Sequence, residues 1–481
     1  MAGVVGASIV SIITESLYDK PIVIFREYIQ NAVDAMAKAP QDSQVLSAHF
    51  WFQDNNLYFL DNGTGIASSA FETTMTSIAR SDKVKKENIG YKGIGRLSGL
   101  PYCSSLTFIN IVDYANNVYQ EYRIDGDKYN NTRSRTDFNQ MSFNELMKEI
   151  GTFAEAPDFS RIKGIIGERS KLFDDRNTGF LVILEGISPV LQTTIEDPDF
   201  VQALSWLLPI PFDDEISQEE PFSSLSMEPA FGEDFSIPAK SYTIYFDNKQ
   251  LKRPLKKDML RTYLCKSNFA KYAVCVHSFS NRKIALERGN PFSGIRIYID
   301  NMLLCDENEL IPALQQYGLT NHGLYELIQS VRGIGALIYI VDKISISTNA
   351  RRTFIDVTNS DAVEFLKLIG EFVENVYQAR YALSNYNSAK AKNDVETQKI
   401  STLKERAQAS LEVLARDEVI IDDEQEKPAD FSALSKSEKK RVIKNKISKE
   451  LNAALKKYLA HTEDFCFDTC VEDFKTWFNA N

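Results

Sequence analysis

The spacing of apolar residues near the N-terminus predicts two helices. Apolar side chains recur at helical intervals over residues 8–18 and again over residues 22–38. Asp19-Lys20-Pro21 separates the two stretches, and Pro40 ends the second one, because proline cannot continue a helix. We therefore expect a helical pair at the start of the chain.

The second predicted helix carries a polar stripe. Glu27, Asn31 and Asp34 stand at positions i, i+4 and i+7, which lie on one helical face. Apolar residues of the same helix can bury it in part, namely Ile24, Ile29 and Val33. Burying two carboxylates without partners is costly. Taken alone, the stripe fits either a ligand site or a polar surface.

Strand-like runs follow this helix. Residues 49–53 and 57–66 are joined by Asp54-Asn55-Asn56, which is a hairpin signal. Further runs can extend the same sheet, and they span residues 104–112, 117–125 and 179–187. The N-terminal region is therefore expected to combine a sheet with helices.

An acidic segment interrupts the chain after this region. Residues 209–239 contain eight acidic residues, no basic residue and several prolines, which is typical of a linker or exposed loop. Strands and helices then alternate up to about residue 384, and helices dominate beyond it. We expect an α+β protein with an N-terminal domain over 1–208, an α/β middle domain over 240–384 and a mainly α-helical C-terminal region over 385–481.

Composition and charge narrow the class of protein. Of the 481 residues, 43 % are hydrophobic and 25 % are charged, an ordinary balance for a globular chain. The net charge of −11 argues against nonspecific coating of nucleic acid or anionic membrane by the whole chain. The apolar run over residues 2–13 is too short to span a bilayer and lacks a preceding basic segment. We expect a cytoplasmic protein with no membrane partner.

Cysteine and histidine positions do not indicate a disulfide framework or a metal site. The six cysteines are scattered along the chain. His461, Cys466 and Cys470 lie close together but lack a fourth ligand at a usual spacing, which favours ordinary helix residues.

Two glycine-rich segments can approach a ligand closely. Asp61, Gly63 and Gly65 follow the second strand-like run, where an aspartate can accept a hydrogen bond from an exocyclic amine such as that of adenine. A glycine-rich turn without a ligand is the alternative. The second segment holds three glycines within six residues, Gly90, Gly93 and Gly95, whose backbone N–H groups can bind an anion. It matches neither the P-loop nor the dinucleotide pattern.

The order of the three patterns is specific. ExxxNxxDA, DxGxG and GxxGxG, in that order, resemble the GHKL ATPases, which include gyrase, the ninety-kilodalton heat-shock chaperone, histidine kinases and MutL. The runs SLYDKPIVIFREYIQNAVDAM and SIARSDK are most similar to the ninety-kilodalton chaperone. The resemblance implies an N-terminal Bergerat-type α/β sandwich that binds ATP and Mg²⁺.

The resemblance also implies roles for individual residues. Glu27 would be the general base that activates water, Asn31 would bind Mg²⁺, and Asp34 would support the nucleotide pocket. Asp61 would hold the adenine amine. The remaining groups would admit the base or wrap the phosphates, namely Gly63 and Gly65 for the base and Gly90, Gly93 and Gly95 for the phosphates. Thr178 stands near a threonine that the family places beside the adenine aspartate, although the order of threonine and glycine is reversed here.

The third pattern departs from the chaperone in two respects. The segment between Ser81 and Gly90 is much shorter than the chaperone's lid, and Lys92 and Arg96 replace uncharged or aromatic residues. Either cation could contact phosphate, and a solvated charge is the alternative for each.

The middle region resembles the chaperone's middle domain through GIRIYIDNMLLCDENELIPAL and SVRGIGALIYIVDKISISTNARRTFI. In that family an arginine of the second segment reaches the γ-phosphate. Arg351 or Arg352 would match it, and the sequence leaves the choice open.

These observations favour a chaperone-like ATPase that acts as a clamp, with a homodimer as candidate assembly and a protein client or partner. A DNA-associated GHKL clamp resembling MORC proteins or MutL is the first alternative, because nine basic residues lie between positions 436 and 457. An ATPase component of a defence system is the second. A histidine kinase is excluded, because no histidine precedes His49, which itself follows the first pattern.

Overall fold

The computed structural model divides into two compact units. Unit 1 comprises Met1–Pro211 and Lys240–Arg253, and unit 2 comprises Phe212–Ala239 and Pro254–Asn481. The residues that the structure describes are 6–12, 20–40, 46–77, 95–212, 240–254, 262–269, 272–280, 292–346, 348 and 354–391.

Unit 1 is built on a mixed sheet of eight strands in the order β5-β4-β3-β6-β2-β1-β7-β8. The strands are β1 Ser47–Gln53, β2 Asn56–Asp61, β3 Cys103–Asp113, β4 Val118–Asp125, β5 Gly151–Phe153, β6 Gly179–Ile187, β7 Thr243–Phe246 and β8 Lys249–Gln250. The predicted hairpin between β1 and β2 is confirmed, with Asp54 and Asn55 at φ of 51° and 60°. Such left-handed angles give a turn that matches the strand twist.

Eight α-helices accompany this sheet in the described part of unit 1. They are α1 Ser8–Ser11, α2 Ile22–Lys38, α3 Ser68–Thr76, α4 Gly126–Arg133, α5 Phe143–Ile150, α6 Phe159–Ile166, α7 Pro189–Glu196 and α8 Phe200–Leu207. Short 3-10 turns cover Gly95–Leu97, Leu100–Tyr102, Phe138–Gln140 and Gly167–Phe173. A sheet combined with helices fits the expected α+β class.

Helix α2 has the predicted bounds, and aromatic packing holds it on one face of the sheet. The Phe25 ring lies 5.5 Å from Phe50 and from Phe59, and 5.0 Å from Phe200 of α8. Each distance is in the range of a favourable aromatic pair. Phe25 is fully buried, so α2 and the β1–β2 hairpin share one apolar core.

The opposite face of the sheet is also covered. Helix α6 and the turn Gly167–Phe173 bury a second apolar cluster, which includes Trp51, Ile109 and Ile183. Arg169 of that turn lies over the Trp51 ring, 3.9 Å from its centroid. The sheet therefore lies between two apolar layers.

The structure differs from the sequence-based domain boundary at residue 240. Strand β7 pairs in parallel with β1, from Ser47↔Thr243 to Phe50↔Phe246, and β8 pairs with β7. Residues 240–253 therefore belong to unit 1 rather than to the middle region. The difference arises because β7 and β8 complete a sheet whose six other strands precede the acidic segment.

Unit 2 contains a five-stranded sheet in the order β12-β11-β13-β10-β9. Its elements are β9 Thr262–Phe269, β10 Ala273–Ser280, β11 Gly294–Ile299, β12 Met302–Asp306, α9 Glu307–Gln316, α10 Leu324–Val331, β13 Gly335–Ile340 and α11 Ser360–Ala391. Helix α11 carries an apolar stripe of Leu366, Ile369, Val373 and Val376, which are buried in the core of this unit. The helical region predicted beyond residue 391 lies outside the described residues.

None of the helices that the structure describes combines the length and the apolar character needed to cross a membrane.

Burial of His49 links the stability of unit 1 to pH. The His49 ring stacks on Tyr245 of β7 at a centroid distance of 4.4 Å, and its Nε2 lies 3.1 Å from the Ser47 hydroxyl. Burial lowers the pKa of His49 to about 4, and the positive charge of Arg169 acts in the same direction. The folded state therefore holds the imidazole neutral.

We predict that this histidine destabilises the protein in acid. The unfolded chain takes up a proton near the ordinary pKa of 6.5, whereas the folded chain does so only near pH 4. The free energy of unfolding therefore falls as the pH is lowered from 6.5 to 4, by up to about 3 kcal/mol. Urea unfolding across this pH range should show a smaller loss for His49→Phe than for wild type. Ser47→Ala is the matched control, because it removes the hydroxyl contact but keeps the titrating ring. An unchanged pH dependence in His49→Phe would contradict the prediction.

Candidate functional site

Helix α2 brings the residues of the first motif to one side of unit 1. Glu27 and Asp34 are buried, with 4 % and 3 % of their surface exposed, whereas Asn31 between them is exposed. The predicted stripe is therefore a mixed one, with two enclosed carboxylates flanking an accessible amide. An exposed amide oxygen is a suitable ligand for Mg²⁺, which prefers oxygen and usually keeps several waters.

The turn after β2 packs against the C-terminal half of α2. A Cβ atom at Gly63 would lie 2.8 Å from Ala35 of the helix, so only glycine allows this approach. Asp61 is buried, and its Oδ1 accepts a hydrogen bond of 2.9 Å from the Gly63 N–H. A carboxylate has about four lone-pair directions, so it can accept from a ligand amine as well.

Thr178 lies at this same turn. Its hydroxyl donates a 2.9 Å hydrogen bond to the Gly63 carbonyl, across the start of β6. The structure therefore brings Asp61, Gly63 and Thr178 together, although the order of threonine and glycine differs from the family pattern.

Gly95 of the third motif meets Glu27 near the other end of α2. A Cβ atom at Gly95 would overlap the Glu27 carboxylate, so backbone and carboxylate are in direct contact. Glu27 also forms an ion pair with Arg26 at 3.5 Å, and both side chains are almost fully buried. Glu27 and Ala35, the two contact points on α2, are about 12 Å apart along the helix axis. The helix thus contacts both glycine motifs, one near each end.

Arg96 is not a solvated charge. Its Nε and Nη2 atoms are buried, and this desolvation lowers the pKa of the guanidinium to about 10. The guanidinium acts electrostatically on Tyr122 of β4, where burial raises the phenol pKa to about 12. The alternative of a solvated arginine at this position is therefore wrong.

Several predicted site residues lie outside the described residues. These are Gly90, Lys92 and Gly93 in unit 1, and Arg351 and Arg352 in unit 2. The described residues on either side of the arginine pair, Thr348 and Ile355, form an isolated β-bridge.

Asn110, which lies outside the three sequence motifs, supports the Gly63–Gly65 turn. Asn110 is fully buried in β3; its Oδ1 accepts from the Ile66 N–H at 2.8 Å and its Nδ2 donates to the Ile66 carbonyl at 2.7 Å. Nδ2 also donates to Gln120, which donates to the Ser68 carbonyl. Gly65, at φ of 61°, lies directly against the Asn110 amide. The sequence signal for such a supporting residue is an amide side chain inside the mainly apolar strand-like run over residues 104–112.

We predict that Asn110→Asp loosens this turn and weakens nucleotide binding. The aspartate has no Nδ2 donor, so two part-buried acceptors, the Ile66 carbonyl and the Gln120 side chain, lose their partner and face a carboxylate. Unfolding of unit 1, followed by Trp51 and Trp206 fluorescence, should become easier by about 2–3 kcal/mol, and the Kd for ADP should rise about tenfold in calorimetric titration. Asn130→Asp, at an exposed position of α4, is the control. Wild-type ADP affinity in Asn110→Asp would show that the hydrogen bonds between Asn110 and Ile66 do not shape the nucleotide site.

Comparison with known families agrees with the placement of these motifs. Residues 21–153 match the family model described as histidine kinase-, DNA gyrase B- and HSP90-like ATPase. This range contains the described motif residues from Glu27 to Gly95 and ends before Thr178. A comparison with curated proteins found no match. The N-terminal part of the chain therefore carries a GHKL-type ATPase domain, which supports an ATP-binding ATPase activity.

Proposed function

We propose that the protein is a chaperone-like GHKL ATPase that binds ATP with Mg²⁺, hydrolyses it to ADP and phosphate, and couples this cycle to clamp-like movements. The observation that carries the proposal is the contact of one helix with both glycine motifs, at Gly63 and at Gly95. This arrangement provides two separate binding regions along α2, one for the adenine base and one for the phosphates.

The adenine end is assigned to the turn after β2. Asp61 accepts from the exocyclic amine, and Gly63 and Gly65 leave room for the base because neither has a side chain. Thr178 holds the Gly63 carbonyl and so positions the turn. Asp34 supports this end from within α2.

The phosphate end is assigned to Glu27, Asn31 and the third motif. Bound ATP would supply the scissile phosphoanhydride, and Mg²⁺ would neutralise part of the charge on its phosphates. Asn31 would hold the metal ion through its amide oxygen, and Glu27 would take a proton from the attacking water. Gly90, Gly93 and Gly95, with Lys92 and Arg96, bind the phosphates through N–H groups and positive charge.

By resemblance to the chaperone family, Arg351 or Arg352 is proposed to neutralise the charge that develops on the γ-phosphate. Arg351 and Arg352 both remain candidates, because a guanidinium fork at either position can pair with phosphate oxygens. The chaperone-like proposal also includes a protein client or partner, and a homodimer as the assembly.

We predict that binding and hydrolysis separate in two variants. Glu27→Gln should retain ATP and lower kcat by about 100-fold or more, because general-base catalysis contributes on that order. Asp61→Asn should raise the Kd for ATP at least about tenfold, because it replaces a charged acceptor. Steady-state turnover and calorimetry measure the two effects. Glu155→Gln and Asp175→Asn, both at exposed positions, are the matched controls. If Glu27→Gln hydrolysed ATP at the wild-type rate, the assignment of Glu27 as the general base would be wrong.

A DNA-associated clamp, resembling MORC proteins or MutL, is the second candidate, and the basic segment 436–457 is the observation that favours it. An ATPase component of a defence system shares the same chemistry.

The partner class is tested by ATP turnover with duplex DNA and, separately, with an unfolded protein. The chaperone-like proposal predicts stimulation by the unfolded protein and none by DNA. Salt-sensitive stimulation by DNA that is lost on deleting residues 436–457 would instead favour the clamp on DNA. Deletion of the equally long segment 392–413 is the control for chain length.

A further inference from the structure

Tyr28 connects α2 to the segment that follows the glycines of the third motif. It is the residue after Glu27, and only 3 % of its surface is exposed. Its ring packs on Phe59 of β2 at a centroid distance of 5.0 Å. The ring is therefore held by the apolar core, while the hydroxyl points toward residues 95–99.

The Tyr28 hydroxyl forms two hydrogen bonds with the backbone of this segment. It donates to the Arg96 carbonyl at 3.0 Å and accepts from the Gly99 N–H at 3.1 Å. One side-chain oxygen thus bridges a carbonyl and an N–H three residues apart. A buried N–H and carbonyl need such partners.

Gly99 makes this bridge sterically possible. A Cβ atom at Gly99 would lie 2.6 Å from the Tyr28 hydroxyl oxygen and 2.9 Å from a methyl group of Leu184. Any larger residue would therefore displace the hydroxyl or the strand β6 side chain. Tyr28 and Gly99 form a matched pair.

Two adjacent residues of α2 consequently contact one short segment. Glu27 touches Gly95 through its carboxylate, and Tyr28 holds Arg96 and Gly99 through its phenol. We propose that Tyr28 is a positioning residue that sets the distance between the Glu27 carboxylate and the phosphate-binding backbone at Gly95. This inference rests on the proposed ATPase function and adds a residue to it.

The position of Tyr28 determines which kinetic constant it controls. The adenine end contacts α2 at Ala35, about 10 Å further along the helix. Loss of the phenol hydroxyl therefore changes the phosphate end and leaves the adenine end in place. The expected signature is a lower kcat with nearly unchanged affinity for ADP.

The test compares Tyr28→Phe with Tyr119→Phe in the full chain. Tyr119 is a matched control because its phenol is also buried, while none of the described residues forms a hydrogen bond with its hydroxyl. Tyr28→Phe should lower kcat about tenfold, keep the Kd for ADP within twofold, and accelerate amide hydrogen exchange at Gly99 about tenfold. Tyr119→Phe should change none of these values.

A second variant tests the pairing. Gly99→Ala should lower kcat to a similar extent, and the double variant Tyr28→Phe/Gly99→Ala should be no slower than the slower single variant, because both changes break the same bridge. Additive losses would overturn the pairing.

Unchanged exchange at Gly99 or kcat within twofold of wild type in Tyr28→Phe would overturn the proposal. A wild-type chain without ATP turnover would contradict the proposed function and the catalytic part of this inference. Exchange at Gly99 would still decide whether Tyr28 holds the segment, so the two failures are distinguishable.

Discussion

Burial of Phe25 between the β1–β2 hairpin and α8 determines the position of α2, and every described motif residue is placed relative to that helix. The ring contacts three aromatic side chains from three elements. Rotation of α2 about its axis would break these contacts and expose a large apolar side chain. Because the helix cannot rotate, Glu27 stays against Gly95 while Ala35 stays against Gly63.

Enclosing polar groups beside such a core is costly unless each one has partners. The unit meets this requirement mainly with backbone groups. Asp61 accepts from Gly63, Asn110 pairs with both polar groups of Ile66, and Tyr28 bridges Arg96 and Gly99. These bonds hold the turns in place. Side chains of neighbouring elements, such as Asn110 of β3 and Tyr28 of α2, therefore help to fix the conformation of the glycine motifs.

This support explains which features could be predicted from sequence. Periodicity located α2 and the hairpin, since local spacing determines both. The order of the three motifs indicated the family of the N-terminal part. The roles of Asn110 and Tyr28 could not be predicted in this way, because most of their hydrogen-bond partners are main-chain atoms whose positions depend on the fold. Burial of Arg96 and the pairing of β7 with β1 depend on contacts between distant segments, which local patterns do not report.

The parallel pairing of β1 with β7 has a consequence for how the chain folds during synthesis. Thr243, the partner of Ser47, leaves the ribosome about 200 residues after it. During that interval β1 presents an open edge carrying Phe50 and Trp51, and an open apolar edge invites association with other chains. A fragment ending at residue 208 would keep this edge permanently. Nascent chains of this protein therefore pass through a stage at which assistance from the cell's own folding machinery would be most valuable.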